Sequence, residues 1–592
     1  MSAAEVTRRQ TLAAVQRLVD LTDYEQAAAV LREALAVQTD DVELIARLAH
    51  VYELADQHTA ARKTYYILAR LLPADPGPYL RAAQVCGRVF DHAGVEKDLR
   101  KALARDPHND AAVSMLASFL RGKGRIDEER ELLLRRAGAD GDRSDRALAR
   151  FKAAFTQPVV ARSEQEADEA RARFAAALAA GPETQIDDPF RAGLSPIFML
   201  NYQAKDDRAL AEAYAAYCLA ATPSLAATAP HVGASARGRK LRIGMFSAFF
   251  SNQTIGYLNY GLVAGLDRSR FDLVLFRPAH SLHDEETDRF REIARFVDVP
   301  GDLAAARAAI AAEKLDILHF PEIGIDAFTY FLAYSRLATV QTVTWGHPST
   351  TGLSTIDAFI SVDDMEPPDG QKFYREQLLR LKGLTFAAER PPAAAASRAD
   401  LGLEGGPAYV CMQSLCKIHP RFDGILAGIL AEDPKGTLYL LSNGAHLDGL
   451  LAERLKTRMG ANISRVRFLP RLRRERFLAL AAVADVALDV PQWSGGRTSL
   501  ETFAMGTPIV HMPGEFMRGR HTLAFYRRMR ISAPVVETPR AYVEAAVRLV
   551  HDEKFRAQTR AQIAAARSLL FDDQASIREM EEAWTALIGA RT

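Results

Sequence analysis

The sequence has few cysteines and no long apolar run. Four cysteines occur in 592 residues, without the CxxC spacing or the histidine-rich surroundings of a zinc site. This usage does not suggest a disulfide framework and fits a reducing compartment. No stretch approaches the roughly 20 apolar residues that span a bilayer, and the N-terminus has no secretory signal pattern. We therefore expect a soluble, cytoplasmic protein without a metal site.

An excess of charge of either sign is also missing. The chain has 75 Lys and Arg residues against 74 Asp and Glu residues, a net charge of +1. Such a balance gives no general attraction to nucleic acid or to a membrane surface, so we expect neither as a partner. Any site for an anionic ligand has to be built locally. The length is too great for one hydrophobic core and predicts several domains.

The first 140 residues contain a 34-residue repeat. Small residues recur at Ala49, Ala83 and Ala117, and prolines recur at Pro73 and Pro107. Larger residues keep the same interval at Leu31, Tyr65 and Leu99. This period is typical of tetratricopeptide (TPR) repeats, in which pairs of helices cross at small residues. An ordinary helical bundle is the alternative, because the full consensus signature is missing.

Further along the chain, helical patterns give way to alternating strands and helices. In the first α/β segment, strands are predicted at 240–250, 271–279, 315–324 and 340–348. In the second, they are predicted within AYVCMQSL, GTLYLLSN, SRVRFLP, ADVALDV and TPIVHMPG. This alternation predicts two parallel, doubly wound sheets with a ligand cleft at the carboxyl ends of their strands. The predicted domains are TPR-like repeats (1–140), a helical linker region (141–237), a first Rossmann-like domain (238–395) and a second Rossmann-like domain with a C-terminal helix (396–592).

The stretch WSGGRTSLE at 493–501 suggests an anion site. It leads from the end of a strand, through a glycine pair, to a helix that begins near Thr498 or Ser499. The first N–H groups of a helix have no intrahelical partner, and glycine lets a ligand approach the backbone closely. A capped helix after a tight turn is the alternative. The residues that we expect to hold a diphosphate and its ribose are Gly495, Gly496, Arg497, Thr498, Ser499 and Glu501.

Other ionisable residues follow predicted strands. Lys417 lies just beyond a strand of the second α/β domain and is a candidate phosphate partner. The first α/β domain has four such groups at strand ends: His319, Glu322, Asp326 and His347. We take Asp326 and His347 as candidate general bases, subject to their geometry. The chain has no P-loop, GxSxG or complete GxGxxG motif, which argues against a P-loop kinase, a hydrolase and a dehydrogenase.

Several motifs resemble those of the protein O-GlcNAc transferase/SPINDLY family, glycosyltransferase family 41. They are KLRIGMFSAFFSNQTIGYL, GHPSTTGLSTIDAFISVDD, QSLCKIHP and GGRTSLETFAMGTPIVHMPGE. The resemblance implies a TPR-like superhelix followed by a GT-B fold, two Rossmann-like domains with a cleft between them. It also implies that Lys417 neutralises the leaving diphosphate, held further by Thr498 and Ser499. Arg497 stands where the animal enzymes have a histidine. The resemblance assigns the pocket for base and sugar to Gln413, Ser414 and Arg474.

These observations predict a metal-independent protein glycosyltransferase that needs no cofactor. We expect it to move GlcNAc or another hexose from a nucleotide sugar, which the family resemblance implies is UDP-linked, to Ser or Thr hydroxyls of a protein bound by the repeats. Flagellin is one candidate acceptor. The alternatives are a flagellin or adhesin transferase with another donor such as a CMP-nonulosonic acid, a non-catalytic TPR scaffold, and a UDP-sugar epimerase. The sequence leaves homo-oligomerisation open.

Overall fold

The structure, a computed structural model, describes residues 3–140, 142–234, 238–403 and 405–591. Residue contacts divide the chain into two compact units, Met1–Thr156 and Gln157–Thr592. Within the described residues, no helix is both long enough and apolar enough to cross a membrane.

The first unit is an array of helices in which each packs against the next along the chain. Its helices are α1 (Ala3–Asp20), α2 (Tyr24–Val37), α3 (Val42–Leu54), α4 (His58–Leu71), α5 (Gly77–Arg88), α6 (His92–Arg105), α7 (Asp110–Gly122), α8 (Ile126–Gly138) and α9 (Arg143–Phe155). Several begin where a short polar side chain accepts a hydrogen bond from the first turn, as Asp41 does for α3 and Asn109 for α7.

The repeat positions occupy the core of this array. Ala49, Ala83 and Ala117 lie in α3, α5 and α7, and each is buried where neighbouring helices pack. The predicted helical repeat is therefore confirmed. The unit runs on to Thr156 and so includes α9, which the predicted domain division gives to the linker region.

The second unit begins with helical segments and continues with a seven-stranded parallel sheet in the order β3-β2-β1-β4-β5-β6-β7. The first segments are α10 (Glu164–Ala180), a 3₁₀ turn (Phe198–Gln203) and α11 (Arg208–Ala221). The sheet and its helices are β1 (Leu241–Phe246), α12 (Thr254–Gly265), β2 (Phe271–Pro278), α13 (Glu285–Ile293), β3 (Arg295–Val299), α14 (Leu303–Ala312), β4 (Ile317–Phe320), α15 (Ala327–Leu332), β5 (Val340–Thr344), β6 (Ala358–Val362) and β7 (Gln377–Leu381).

A second, five-stranded parallel sheet follows, in the order β10-β9-β8-β11-β12. Its elements are β8 (Ala408–Cys411), α16 (Asp423–Glu432), β9 (Thr437–Leu441), α17 (Ala445–Met459), β10 (Val466–Leu469), α18 (Arg474–Val483), β11 (Val486–Leu488), α19 (Arg497–Ala504), β12 (Ile509–Val510), α20 (His521–Met529), α21 (Pro539–His551), α22 (Glu553–Ala566) and α23 (Gln574–Gly589). The predicted pair of Rossmann-like domains after a helical repeat is confirmed.

The last helix, α23, packs away from the domain that precedes it in the sequence. Ile577, Met580 and Trp584 belong to the core of the first sheet, together with Ile243 and Leu275. Chain order places this helix in the 396–592 domain, whereas its apolar side completes the 238–395 domain. The apolar spacing of the helix shows that one face is buried, but it does not identify the surface that covers this face.

A buried carboxylate orders the loop after β11. Asp489 is 1% exposed, and it accepts hydrogen bonds from the Ser494 hydroxyl (2.6 Å), the Gly495 N–H (2.8 Å) and His511 Nδ1 (2.8 Å). Burial alone would raise the pKa of Asp489, but these hydrogen bonds and the nearby His511 hold it below its ordinary value. The charged carboxylate therefore fixes the glycine-rich turn against β12.

Close backbone packing positions α12. A Cβ added at Gly261 would lie 1.8 Å from the carbonyl oxygen of Ala387, so the helix approaches the 387–388 backbone more closely than any side chain allows. Thr254 and Ile255, at the start of α12, line the cleft between the two sheets, so this contact also fixes the position of that part of the cleft wall.

We predict that Asp489→Asn lowers the free energy of unfolding by about 3 kcal/mol, because an amide cannot accept from three donors and leaves at least one of them unpaired. Because folding lowers the pKa of Asp489, its stabilising contribution is fully present above the unfolded pKa of about 3.9. This contribution is lost as the pH falls through the folded pKa, which is lower still. The Asp489→Asn variant lacks the carboxylate and should not show this part of the loss of stability in acid. Denaturant unfolding across pH measures both effects.

Asp552→Asn is the control, because Asp552 caps α22 through the N–H of Phe555 and asparagine caps equally well. Equal stability of Asp489→Asn and the wild type at neutral pH would contradict the proposed anchoring.

We further predict that Gly261→Ala destabilises the protein by about 1–3 kcal/mol, since backbone has to move. Gly449, in the middle of α17, would meet nothing within 4 Å if it carried a Cβ. Gly449→Ala should therefore stabilise by up to about 1 kcal/mol through helix propensity. Thermal unfolding compares the two, and a shift of the same sign in both would refute the packing argument.

Candidate active site

A cavity of about 280 Å³ lies at the carboxyl ends of the strands of both sheets. Its wall is formed by Phe198, Tyr202, Phe249, Gln253, Thr254, Ile255, Leu258, Ile325, Trp345, Gly346, His347, Pro348, Lys417, Trp493, Gly496, Arg497, Thr498 and His521. The wall is aromatic and cationic, and none of these lining residues is an aspartate or a glutamate. Such a surface favours a ligand that has both an apolar or planar part and a negative charge.

Lys417 provides the central cation of the cavity. It follows β8 in a 3₁₀ turn, and its Nζ lies 2.9 Å from Gln413 Oε1 and 3.5 Å from the Ser494 carbonyl oxygen. Both partners are neutral. Burial lowers the pKa of Lys417, because the ammonium loses water without gaining a hydrogen-bonded carboxylate. An anion in the cavity would supply the missing counter-charge.

The glycine pair forms a close-fitting turn beside Lys417. A Cβ on Gly495 would lie 2.6 Å from both Gln413 Nε2 and Thr498 Oγ1, which are themselves hydrogen-bonded at 2.8 Å. Gly495 is therefore required by packing. Gly496 precedes α19 and lines the cavity. Apart from its neighbours in sequence, a Cβ added there would meet only the ring of Trp345, at 3.6 Å, in the part of the chain that the structure describes.

The two predicted hydroxyls face different ways. Thr498 lines the cavity, as the diphosphate hypothesis requires. Ser499 is 2% exposed, and its Oγ lies 2.8 Å from Thr522 Oγ1, so it joins the first turns of α19 and α20. Ser414 is exposed and begins the turn that carries Lys417, but it is not part of the cavity wall.

The predicted ribose acceptor, Glu501, is engaged by two arginines. Its Oε1 lies 2.9 Å from Arg497 Nε and 3.3 Å from Arg474 Nε, and the residue is 4% exposed. Both guanidinium groups also lie over the ring of Tyr257 from α12, at 4.6 and 5.1 Å from its centroid. The three charged residues therefore form a bridge between the two sheet domains, with Arg497 at the cavity edge.

Of the two candidate bases, only His347 lines the cavity. Asn201 Oδ1 lies 2.9 Å from His347 Nε2, while the Asn201 amide donates to Asp207 Oδ2 and to Ser349 Oγ. The hydrogen-bond network thus assigns the ring proton to Nε2 and leaves Nδ1 as an acceptor. Within the described chain Nδ1 has no hydrogen-bond partner, and burial lowers the pKa of His347 to about 3.

Asp326 is occupied elsewhere. Its Oδ1 accepts from the N–H of Thr329 (2.7 Å) and from its hydroxyl (2.8 Å), which caps α15. The neighbouring Ile325, not Asp326, lines the cavity.

Sequence reasoning did not identify the aromatic wall or His521. Trp345 directly follows β5, and Trp493 lies in the loop between β11 and α19. These positions at strand ends could have marked both tryptophans as cavity residues. Tyr202 stacks on Trp493 with ring centroids 4.1 Å apart, and Phe198 packs near His347. These two come from the 3₁₀ turn of the linker region, where no repeat or strand pattern marks them.

Comparisons with known proteins give their family match in the part of the chain that contains Lys417 and the 493–501 stretch. Residues 387–580 match the model of Glycosyl transferase family 41. The chain is 25% identical over 331 residues to the probable UDP-N-acetylglucosamine–peptide N-acetylglucosaminyltransferase SPINDLY of Solanum lycopersicum, covering 53% of this chain and 35% of that protein. It is 31% identical over 193 residues to the UDP-N-acetylglucosamine–peptide N-acetylglucosaminyltransferase of Caenorhabditis elegans, covering 31% of this chain and 16% of that protein. The matched part is thus well under half of these relatives' own lengths.

Among solved structures, a mutant of the Thermobaculum terrenum O-GlcNAc transferase superposes with a TM-score of 0.54. The alignment covers 100% of this chain and 99% of that chain at 21% sequence identity. At this identity the likeness bears on the fold, which is the helical repeat followed by two parallel-sheet domains. The sequence likeness to glycosyltransferase family 41 is thus confined to residues 387–580 in the family model, and the likeness in fold extends over the whole chain.

Proposed function

We propose that this protein transfers a sugar from a nucleotide sugar to a protein. The observation that carries the proposal is the set formed by Lys417, Gln413, Thr498 and Gly496, which combines a cation with hydrogen-bonding groups at a helix start. The names of the relatives support UDP-linked GlcNAc as the sugar donor and a peptide as the acceptor. The proposal extends the donor to other UDP-hexoses and takes Ser and Thr hydroxyls as the acceptor groups.

In this proposal the acceptor oxygen attacks the anomeric carbon, and the bond from that carbon to the phosphate oxygen breaks. The electron pair of that bond goes to the leaving diphosphate. Lys417, Thr498 and the N–H groups at the start of α19 are fixed donors for this developing charge, which is the role of preorganised electrostatics. Because side chains supply the positive charge, we expect no divalent ion to be required.

The acceptor hydroxyl also has to lose a proton. His347 is our candidate base in preference to Asp326, because it lines the cavity and its Nδ1 has a free lone pair. With a pKa of about 3, which burial causes, His347 is a weak base. A bound phosphate would raise this pKa by its negative charge and make the imidazole a better acceptor.

The repeats are the proposed binding surface for the protein acceptor. Arrays of this kind stack into extended surfaces that hold polypeptides. The first unit has a groove of about 750 Å³ with both acidic and basic walls, including Asp56, Asp91, Arg62, Lys63 and Lys97. Such a groove suits a polar peptide segment. Flagellin remains one candidate acceptor.

We predict that Lys417→Ala reduces sugar transfer by about 100-fold or more, the usual loss when a fixed donor to a developing negative charge is removed. Lys456→Ala is the matched control, since Lys456 is exposed on α17. Initial rates of nucleotide release and of acceptor modification measure the effect. A Lys417→Ala variant with wild-type rates would exclude the assigned role, and an unchanged cellular phenotype would favour a scaffold.

The identity of donor and acceptor is tested by intact-mass analysis. The purified chain is incubated with candidate acceptors, flagellin among them, and with UDP-GlcNAc, other UDP-hexoses or a CMP-nonulosonic acid, with and without EDTA. We expect a hexose-type mass increase on the acceptor, undiminished by EDTA and mapped to Ser or Thr. A mass increase from the CMP-sugar alone would overturn the UDP assignment. Sugar interconversion without an acceptor would indicate an epimerase.

A further inference from the structure

His521 is a buried imidazole whose ring nitrogens have no established partner. It is the first residue of α20, is 2% exposed and lines the cavity. The Ser494 carbonyl faces the ring and favours its protonated form, but within the described chain neither nitrogen makes a hydrogen bond of normal geometry. A buried polar group without a partner is costly, so such groups in native proteins require an explanation.

The surroundings of His521 point to an anionic partner. The first turn of α20 meets the first turn of α19, where Thr522 Oγ1 lies 2.8 Å from Ser499 Oγ and 2.9 Å from Ser494 Oγ. Two helix starts, each with partial positive charge, therefore lie side by side. Lys417 is close enough to lower the pKa of His521, together with burial. Asp489 opposes this effect, but its carboxylate is already engaged with Ser494, Gly495 and His511.

The ring also has a defined orientation. Its centroid lies 5.0 Å from that of Trp345, which comes from the end of β5 in the other sheet domain. Trp345 in turn is held by a 2.7 Å hydrogen bond from its Nε1 to Thr385 Oγ1. His521 thus lies in the same cavity wall as Lys417 and touches the first sheet domain through Trp345.

We propose that His521 is a second phosphate contact of the donor site, which donates a ring N–H to the phosphate group farthest from the nucleoside while Lys417 supplies the charge. The neutral imidazole has one N–H to give, and the phosphate oxygen satisfies a donor that is otherwise buried and unpaired. The proposal rests on the proposed function for the position of the sugar, but the phosphate contact can be tested without any sugar.

The test compares nucleotide affinities of the full chain by titration calorimetry. His521→Phe keeps an aromatic ring against Trp345 and removes both nitrogens. We expect its affinity for UDP to fall about tenfold or more, the usual effect of losing a hydrogen bond to a charged group. Affinity for UMP should stay within about twofold, because UMP lacks the distal phosphate. His521→Gln, which retains an N–H donor, should recover part of the loss.

His319→Phe is the matched control. His319 is also fully buried with an unpartnered Nε2, but it packs against Trp584 in the core of the first sheet and is not part of the cavity wall. It should lower the melting temperature and leave the ratio of UDP to UMP affinity unchanged. If His521→Phe does not fold, His521→Ala removes the same nitrogens without adding bulk, and the same criterion applies.

The proposal is overturned if a folded His521→Phe or His521→Ala variant binds UDP as tightly as the wild type, or if it loses UDP and UMP equally. Failure of the wild type to bind either uridine nucleotide would refute the UDP donor alone. The comparison then moves to CMP against cytidine, where an unchanged ratio in the variant would overturn the His521 contact itself.

Discussion

The arrangement of the cavity depends on one buried charge, the carboxylate of Asp489. It holds the hydroxyl of Ser494, and Ser494 in turn accepts a hydrogen bond from the N–H of Thr522 at the start of α20. The backbone carbonyl of Asp489 accepts a hydrogen bond from the hydroxyl of Tyr542 in α21. One ion therefore connects β11, β12 and the starts of α19 and α20. The donors to the carboxylate all come from the protein, so the contacts that shape the loop do not require a ligand.

A second consequence of this arrangement is electrostatic. Burial removes water from the Lys417 ammonium and lowers its pKa. Burial also lowers the pKa values of His347 and His521, so both imidazoles are neutral. In the cavity, positive charge is therefore poorly solvated, and within the described residues His347 Nδ1 and the ring nitrogens of His521 have no hydrogen-bond partner. In the proposed function a phosphate would supply the counter-charge of Lys417 and a hydrogen-bond acceptor for His521, whereas the acceptor hydroxyl would donate to His347 Nδ1.

The sequence was informative wherever function depends on neighbours along the chain. The glycine pair, Lys417 and Thr498 were predictable because a strand end followed by a helix start is a local pattern. Asp326 begins an Asp-x-x-Thr capping pattern that the sequence displays, and the structure shows it as the cap of α15. Its role as a base stays a prediction. Four strands of the first sheet were predicted, whereas β3, β6 and β7 were not named.

What the sequence could not supply were contacts between distant segments. The pairing of Glu501 with Arg474, and the burial of Ser499 against Thr522, depend on how the helices meet in space. Phe198 and Tyr202 reach the cavity from a linker whose sequence has no period to interpret. The destination of α23 was hidden for the same reason, since an amphipathic helix shows which face is buried and not what buries it.

The position of α23 has a consequence for the order of events during synthesis on the ribosome. The first sheet begins to emerge with Leu241, but Trp584, which completes its core, follows more than 300 residues later. Backbone N–H groups of Asp267, Gly383 and Leu384 also find their partners on this helix, in Glu581, Glu579 and Ser576. Domains usually fold as they leave the ribosome, N-terminal part first. Here the first sheet domain has to wait for nearly the whole second one, so the cavity between them closes only when translation has passed both.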